Sequence, residues 1–530
     1  MVVTGTEPAP ALPSPAGAAA TDIETTPRRF ELIGAGIAVV IGVALRFWTT
    51  SHLWLDEALT VDIARLPLGD IPGALRHDGH PPLYYFLLHG WISLFGEGDV
   101  AVRSLSGLFG VIAIPLGWYA GRRAGGRYTA LATVALLSLS PFAIRYATET
   151  RMYSMVMCLV FAGYLLVSNA LERTTRPRLI GIALVTGALL LSHYWAMWLI
   201  GSAVLVLAWR AWRRQGDDRK VTVRVLIAII AGGIFLVPWL GVMLYQSAHT
   251  GTPWAPPIRP APMITYTLQD FGGGGYGEAQ LFGLAVAVLF LIGVFARATD
   301  RRRLEVDIRT IPTVRREATV IALTMAVASV AGYATRTTFA TRYAAVIIPL
   351  FLLVVAVGLS RFLSPVARGC IAAFVLVLGL VGGIHTAITD RTQTGEITDI
   401  IRAEAQPGDI VLICPDQLGP ATHRQLPDRL GLQQLSYPTL GDPALVDWRD
   451  YEKRNAAVDP VAVADQVIQR ARGAHNVWLV DSGGYKTLEG QCESVEQEFG
   501  TKLGPPNIRI LEDGGKFFEH ASLIQYPGAP

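Results

Sequence analysis

Short runs of acids set among aromatic and apolar residues mark where this 530-residue chain can do chemistry. Two of them, Trp54-Leu55-Asp56-Glu57-Ala58 and Asp78-Gly79-His80-Pro81-Pro82-Leu83-Tyr84-Tyr85, lie close together. A third, from Arg145-Tyr146 through Glu149 to Arg151-Met152-Tyr153, adds one acid and a pair of arginines, and His193-Tyr194-Trp195 and Arg342-Tyr343 follow further on. A carboxylate held against a Trp-Leu pair is partly stripped of water, which strengthens it as a proton acceptor. The same acids suit the first turn of a helix, with Asp56 at the cap. The two readings are compatible, because a cap can also present its carboxylate to a cavity.

The elements that must position these residues are membrane helices. Hydrophobic residues make up 51% of the chain against 16% charged, too apolar for an ordinary soluble enzyme. With 45 basic and 42 acidic residues the net charge is only +3, so no broad basic surface exists for nucleic acid. Apolar stretches close to bilayer-spanning length recur at about 30–48, 101–120, 127–146, 153–171, 178–192, 195–210, 222–245, 279–296, 318–334, 343–360 and 366–387. The connections 121–127, 172–178, 210–220, 297–316 and 361–368 are Arg-rich and alternate with Arg-poor ones. The positive-inside rule then predicts an all-α polytopic protein of the bacterial plasma membrane, with about eleven spans, N-terminus in and C-terminus out. Segment 82–95 is too short to span, starts with Pro81-Pro82 and is followed by acids, so it reads as an interfacial or re-entrant helix of the first outward loop, 49–100.

Residues 1–29 have the composition of a disordered cytoplasmic tail, and 30–387 form the membrane domain. Residues 388–530 read as a small extracytoplasmic α/β domain. Its strands are expected at 409–414 and 476–480, and a helix begins after Asp459-Pro460 and stops by Gly473. It has no glycine-rich phosphate motif, which leaves docking or acceptor binding open to it. Of the four cysteines, Cys158 and Cys370 sit in apolar segments, while Cys414 and Cys492 could pair in an oxidising compartment. The long loop 246–278 combines a stiff run, Pro253-Trp254-Ala255-Pro256-Pro257, with Gly272 to Gly275, a composition suited equally to a lid or a flexible connector.

Against this topology six arginines are out of place: Arg46, Arg103, Arg145, Arg151, Arg336 and Arg342 all fall at or near outward ends of spans. Charges there need a partner or an anionic ligand. The acids nearby are Asp56, Glu57, Asp78, Asp99 and Glu149, so at least one guanidinium is expected to face a phosphate. Arg46 and Arg342 are the first choices because no acid adjoins either, whereas Arg103 and Arg151 read as structural. No cofactor is required. A divalent metal would have to draw on Asp56, Glu57, His80 and Glu149, whose spacing is irregular.

In Arg46-Phe47-Trp48, Leu55-Asp56-Glu57-Ala58, Gly79-His80-Pro81-Pro82, Tyr146 to Tyr153, His193-Tyr194 and Arg342-Tyr343 the chain resembles the polytopic glycosyltransferases of the GT-C fold. The nearest likeness is to the bacterial branch related to protein O-mannosyltransferases and the lipid A aminoarabinose transferase. The resemblance implies transfer of a sugar, mannose or a pentose such as arabinofuranose, from a polyprenyl-phosphate donor. The implied acceptor is an envelope glycan, lipoglycan or protein outside the membrane, and transfer proceeds with inversion. It makes Asp56 the base, supported by Glu57, Glu149, His193 and Tyr194, and places Arg46, His80, Arg342 and Tyr343 at the donor phosphate. His80 stands where the aminoarabinose branch has a lysine, and a neutral imidazole is a weaker counter-charge.

The chemistry agrees: a sugar leaving a phosphate needs cations around the departing anion and a base for the incoming hydroxyl, but no strong acid. A transporter or lipid flippase is the rival reading. It would place charges near span centres, where these stretches have almost none.

Overall fold

The computed structural model describes residues 27–252, 255, 257–309, 313–335, 337–471 and 475–528. The expected tail lies outside them up to residue 26, as do Arg336, Gly473 and, in the stiff run, Pro253, Trp254 and Pro256. All the apolar stretches are helical, beginning with α1 (Arg29–Leu45). After it come three short helices, α2 (Leu55–Arg65), α3 (Ile71–Asp78) and α4 (Leu83–Phe95). The next are α5 (Asp99–Ser138), α6 (Pro141–Ala147), α7 (Tyr153–Glu172), α8 (Arg176–Leu190) and α9 (Ala196–Arg213). Then follow α10 (Gly216–Gly232), α11 (Leu240–His249), α12 (Pro260–Phe271), α13 (Gly277–Phe295), α14 (Arg315–Thr335), α15 (Ile348–Ser360) and α16 (Pro365–Ile388).

Among the described residues six helical segments are long and apolar enough to cross a membrane. Large apolar side chains such as Ile33, Val40, Ile230, Val330 and Val377 stand exposed on the bundle, the opposite of a water-facing surface. The molecule is a polytopic membrane protein. At 13 residues α4 spans about 20 Å, short of the hydrocarbon core.

Local chemistry divides several stretches that read as continuous. In α5 the Gly125-Gly126 pair leaves the helical region, Gly126 at φ 82°, and the chain turns back so that Gly121 packs on Ala130 and Thr133. Stretch 127–146 ends at Ser138: the Ser140 side chain caps α6 by accepting the Ala143 N–H, and Pro141 occupies its first turn. Stretch 222–245 is interrupted by a 3-10 segment, Gly233–Trp239, around Pro238. The loop expected over 246–278 contains α12, so it is no simple connector.

The helix α15 is the centre of the bundle, buried on every side from Ile348 to Leu359 and enclosed by α5, α7 and α13. Gly293 of α13 and Gly358 of α15 let the two backbones touch, a packing that membrane helices favour. Four of the five Arg-rich connections, 121–127, 172–178, 297–316 and 361–368, gather at one end of the bundle. There Arg123 meets Asn169 and Glu172, Arg316 meets Ser168, Arg361 meets Thr313 and Arg368 meets Glu31.

At the other end stand α2, α3, α4, α6 and the C-terminal part. The latter is a five-stranded mixed sheet in the order β4-β3-β5-β7-β6, with β3 (Ile410–Cys414), β4 (Gln433–Ser436), β5 (Val477–Asp481), β6 (Asn507–Ile510) and β7 (Ser522–Tyr526). A small hairpin of β1 (Ala296–Ala298) and β2 (Leu304–Val306) precedes it in the chain. Strand β3 runs parallel to β4 and β5, and β7 antiparallel to β5 and β6. Asp459 caps the helix Pro460–Arg470 by accepting the Val461 and Ala462 N–H groups. A disulfide joins Cys414 to Cys492. One face of the sheet shares a single buried cluster with Trp54, Leu55, Leu59, Ile63, Ile71 and Leu75 of the α2–α3 region. The C-terminal sheet and the first loop are therefore packed as one body, which no sequence pattern announced.

Candidate active site

Asp56 occupies the first turn of α2, where the N-cap Trp54 offers no side-chain cap. The missing cap comes from the C-terminal part: Glu519 Oε1 accepts the Leu55 N–H at 3.0 Å. Asp56 Oδ2 stands 3.4 Å from Arg342 Nη2 and 3.9 Å from Arg151 Nη2. Burial disfavours the charge of Arg342, but the Asp56 carboxylate holds it and raises its pKa.

Arg151 is only 2% exposed and lies at the centre of a network. Its Nη1 donates to Thr60 Oγ1 at 2.8 Å, and its Nη2 lies 2.8 Å from His80 Nε2. A guanidinium has only donors, so His80 Nε2 accepts. The proton of His80 then sits on Nδ1, 2.7 Å from Asp78 Oδ2, which also accepts the Tyr85 hydroxyl at 2.9 Å. Burial pushes Asp78 up, but His80, Arg151 and Tyr85 outweigh it and hold the carboxyl below the usual range. The expectation for His80 is corrected accordingly: its two ring nitrogens are taken by Asp78 and Arg151, so it orients Arg151, and Arg151, read from sequence as structural, is held by Thr60, Tyr85 and His80 and lies 3.9 Å from the candidate base.

Glu57 points away from Asp56 into a different set of charges. Arg103 grips it in a bidentate pair at 2.7 and 2.6 Å, Arg391 reaches it at 3.2 Å and the Thr150 N–H donates to it at 2.9 Å. Burial pushes Glu57 up, and the two guanidiniums more than offset it. With its oxygens so occupied, Glu57 is a structural anion.

Glu149 lies 3.2 Å from Arg145 Nε, and neither carboxylate oxygen has a hydrogen-bond partner among the described residues. Burial raises its pKa against the pull of Arg145 and Arg391. It lines a cavity of about 280 Å³ with Arg145, Asp270, Arg342 and His385. An adjoining cavity of about 340 Å³ contains Asp56 and is roofed by the C-terminal part, and both cavities share Trp54, Arg342 and Phe518.

The other expected residues fall into two groups. His193 and Tyr343 join the cluster as an aromatic layer, their rings 5.2 Å apart, with Trp195 5.3 Å from Tyr343. Burial, with Arg151 and Arg342 nearby, drives the His193 pKa well down, and its Nδ1 accepts the Trp195 N–H. Tyr194 and Arg46 are not in the cluster. Tyr194 bonds to Gln246 and Trp239, and Gln246 in turn holds the His80 carbonyl at 3.2 Å. Arg46 donates to the carbonyls of Gly42, Leu137 and Ser138, satisfying helix ends of α1 and α5, which corrects its assignment to an anionic ligand.

The suggested metal set does not converge either. Among the described residues the only close group of three candidate ligands is Cys414, Asp481 and Cys492, whose sulfurs are spent in the disulfide. Sequence reasoning missed Arg391, Asp270 and Glu519. Arg391 carried the same signal as the other misplaced arginines, since it follows the last apolar stretch. The other two had none.

The family model described as dolichyl-phosphate-mannose-protein mannosyltransferase matches residues 79–240, the span from the turn before His80 to the start of α11. No curated protein matches the chain by sequence. In structure it is similar to ArnT from Cupriavidus metallidurans bound to undecaprenyl phosphate, with TM-score 0.56 and 12% identity over 93% of this chain and 98% of that one. Against the apo state of the same protein the TM-score is 0.58 at 12% identity, over 94% and 98%. At that identity the likeness speaks for the fold. The chain is a polytopic membrane protein of the GT-C fold, similar over residues 79–240 to the family model described as dolichyl-phosphate-mannose-protein mannosyltransferase.

Proposed function

We propose that this protein is a membrane glycosyltransferase that moves a sugar from a polyprenyl-phosphate donor to a hydroxyl of an envelope glycan, lipoglycan or protein. The observation that carries the reading is the placement of Asp56 Oδ2 between Arg342 and Arg151, at 3.4 and 3.9 Å, on the wall of the 340 Å³ cavity. Asp56 accepts the proton of the acceptor hydroxyl. The hydroxyl oxygen bonds to the anomeric carbon as the bond to the phosphate oxygen breaks on the opposite face, inverting the centre. The phosphate leaves as an anion whose charge Arg342 and Arg151 hold.

Glu149 is assigned to the sugar, in the neighbouring cavity with Arg145 and Asp270. Tyr343 and His193 wall the donor side, Glu57 fixes the loop, and His80 acts through Arg151. No step is given to a cofactor or metal, and chelation is expected to leave the rate unchanged. Mannose follows the name of the matching family, with a pentose such as arabinofuranose as the other candidate. The donor class is the one named with ArnT, which was seen bound to undecaprenyl phosphate.

The site is assigned to the outer face of a bacterial plasma membrane, with the N-terminus inside and about eleven spans. Two observations support this: four of the five Arg-rich connections meet at the end away from Asp56, and the Cys414–Cys492 disulfide belongs to an oxidising compartment. The ion pairs lie at the bundle ends, which argues against a flippase pathway through its middle. The test is Asp56→Asn in reconstituted full-length protein. Transfer should fall by about 10²–10⁴-fold in protein that thermal unfolding shows to be folded; undiminished transfer would remove the assignment.

A further inference from the structure

The turn His193-Tyr194-Trp195 stands beside the candidate site, and α9 runs from it for 18 residues, about 27 Å, so Arg213 lies toward the opposite end of the bundle. The connection that follows, 210–220, differs from the other four Arg-rich ones. Each of those is tied into the bundle by an arginine: Arg123 to Glu172, Arg178 to the Asn169 carbonyl, Arg316 to Ser168 and Arg368 to Glu31. The ion pairs of 210–220 stay within itself, Asp218 with Arg210 and Arg214 at 4.0 and 3.5 Å and Asp217 with Lys220 at 3.1 Å. From Arg210 to Arg224 six basic residues meet only these two acids. Arg213, Arg219 and Arg224 are exposed and have no acid partner among the described residues.

Two indole rings carry one of these cations. The Arg213 guanidinium lies 4.6 and 5.2 Å from the ring centres of Trp209 and Trp212, and the rings are 4.9 Å apart. They are 57% and 70% exposed and continue an apolar stripe of α9 that includes Leu205. On α10 the exposed positions Lys220, Arg224 and Ile227 share one face, so Arg224 stands where the apolar stripe of that helix begins. A 3.3 Å hydrogen bond from Arg210 to Thr222 keeps the two helices side by side at this level. Indoles at the end of an apolar stripe mark headgroup depth, and arginines there are stabilised by lipid phosphate. A soluble anion would leave the rings unused, and a zwitterionic lipid would bring an ammonium group against cations that already lack acids.

We propose that the turn between α9 and α10 is a binding site for an anionic phospholipid. Arg213, Arg219 and Arg224 supply its positive wall, the indoles of Trp209 and Trp212 sit at the level of the glycerol, and the chains lie along Leu205 and Ile227.

The test needs no turnover. Full-length protein, stripped of lipid in a non-ionic detergent at about 0.15 M salt, is titrated with phosphatidylglycerol, cardiolipin, phosphatidylcholine and free glycerol phosphate, and bound lipid is counted by native mass spectrometry. Phosphatidylglycerol or cardiolipin should bind and raise the unfolding temperature, with phosphatidylcholine much weaker and glycerol phosphate without effect. Removing two near-surface charges by Arg213→Gln with Arg224→Gln should weaken the anionic lipid by about 30-fold. Arg301→Gln with Arg302→Gln removes two exposed arginines from the 297–316 connection and should change nothing. Trp212→Phe should keep most of the binding and Trp212→Ala should lower it. Thermal unfolding of each variant reports folding, and Arg213→Lys with Arg224→Lys, which keeps both charges, should still bind. Equal affinity for phosphatidylcholine, displacement by glycerol phosphate, wild-type binding after Arg213→Gln with Arg224→Gln, or an equal loss after Arg301→Gln with Arg302→Gln would each overturn the proposal.

Discussion

Arg391, three residues past the last helix of the bundle, places its Nη1 3.2 Å from the carboxylate of Glu57, which neighbours the candidate base. Together with Arg103 this makes a buried triad of one acid and two guanidiniums tying the first loop to the end of α16. Removing the acid leaves two uncompensated buried charges. Glu57→Ala should therefore lower stability by about 3–5 kcal/mol, more than an ordinary surface carboxylate change. The measurement is thermal or proteolytic unfolding in detergent; a variant as stable as the wild type would show the triad to be dispensable.

Arg342 is asked to do something different, because its partner Asp56 lines a cavity and is not enclosed. If Arg342 holds the departing phosphate, its contribution belongs to the transition state. Arg342→Ala should cost about 10²–10³-fold in kcat, with smaller changes in acceptor KM. Lysine keeps the charge but loses the planar fork, so Arg342→Lys should recover only part of the rate. Equal loss in kcat and rise in acceptor KM would point to a merely structural arginine.

Much of the scaffold was legible because it is written in short-range terms. Apolar length marked the helical stretches, and Asp459-Pro460 gave a capped helix. What sequence could not show is which charges face each other. Arg46 and Arg342 both lack an adjacent acid, yet the first is absorbed by helix-end carbonyls and the second faces Asp56. The same blindness misplaced His80, whose ring nitrogens are taken by Asp78 and Arg151. Glu519 was invisible for a simpler reason. It acts from a turn 464 positions away from Leu55, in no repeating pattern.

The Cys414–Cys492 disulfide closes a loop of 78 residues, from the end of β3 to the helix Gln491–Leu503. In the chain-entropy account a loop of that length contributes about 4.5 kcal/mol. Because one face of this sheet shares its core with α2, reduction should loosen the Asp56 loop as well as the C-terminal part. A Cys414→Ser, Cys492→Ser protein should unfold at lower temperature, and hydrogen exchange over 53–65 should speed up. Faster exchange confined to the C-terminal sheet would show that the shared core does not couple them.

Three acids of the C-terminal part should make stability fall as pH rises from about 4 to 8. Burial pushes Asp416 to about 7 and Glu519 to about 8, and burial with the repulsion of Glu496, Glu493 and Glu512 pushes Asp481 to about 7. In the unfolded chain all three ionise near pH 4. Between those values the folded protein binds more protons than the unfolded one, so their contribution to stability is greatest at the acid side, is lost progressively as pH rises and is gone once the folded carboxyls ionise at about pH 7 to 8. Asp78 and Glu57 are shifted downward and titrate below this window, while the buried neutral His193 opposes the trend only below about pH 6.5. The unfolding midpoint should accordingly decline from about pH 6.5 to about 8 and level off above it. Asp481→Asn should shallow that slope, because an amide at this position cannot ionise. A midpoint that rises across the interval, or a slope unchanged by the substitution, would mean that these carboxyls are hydrated and titrate normally.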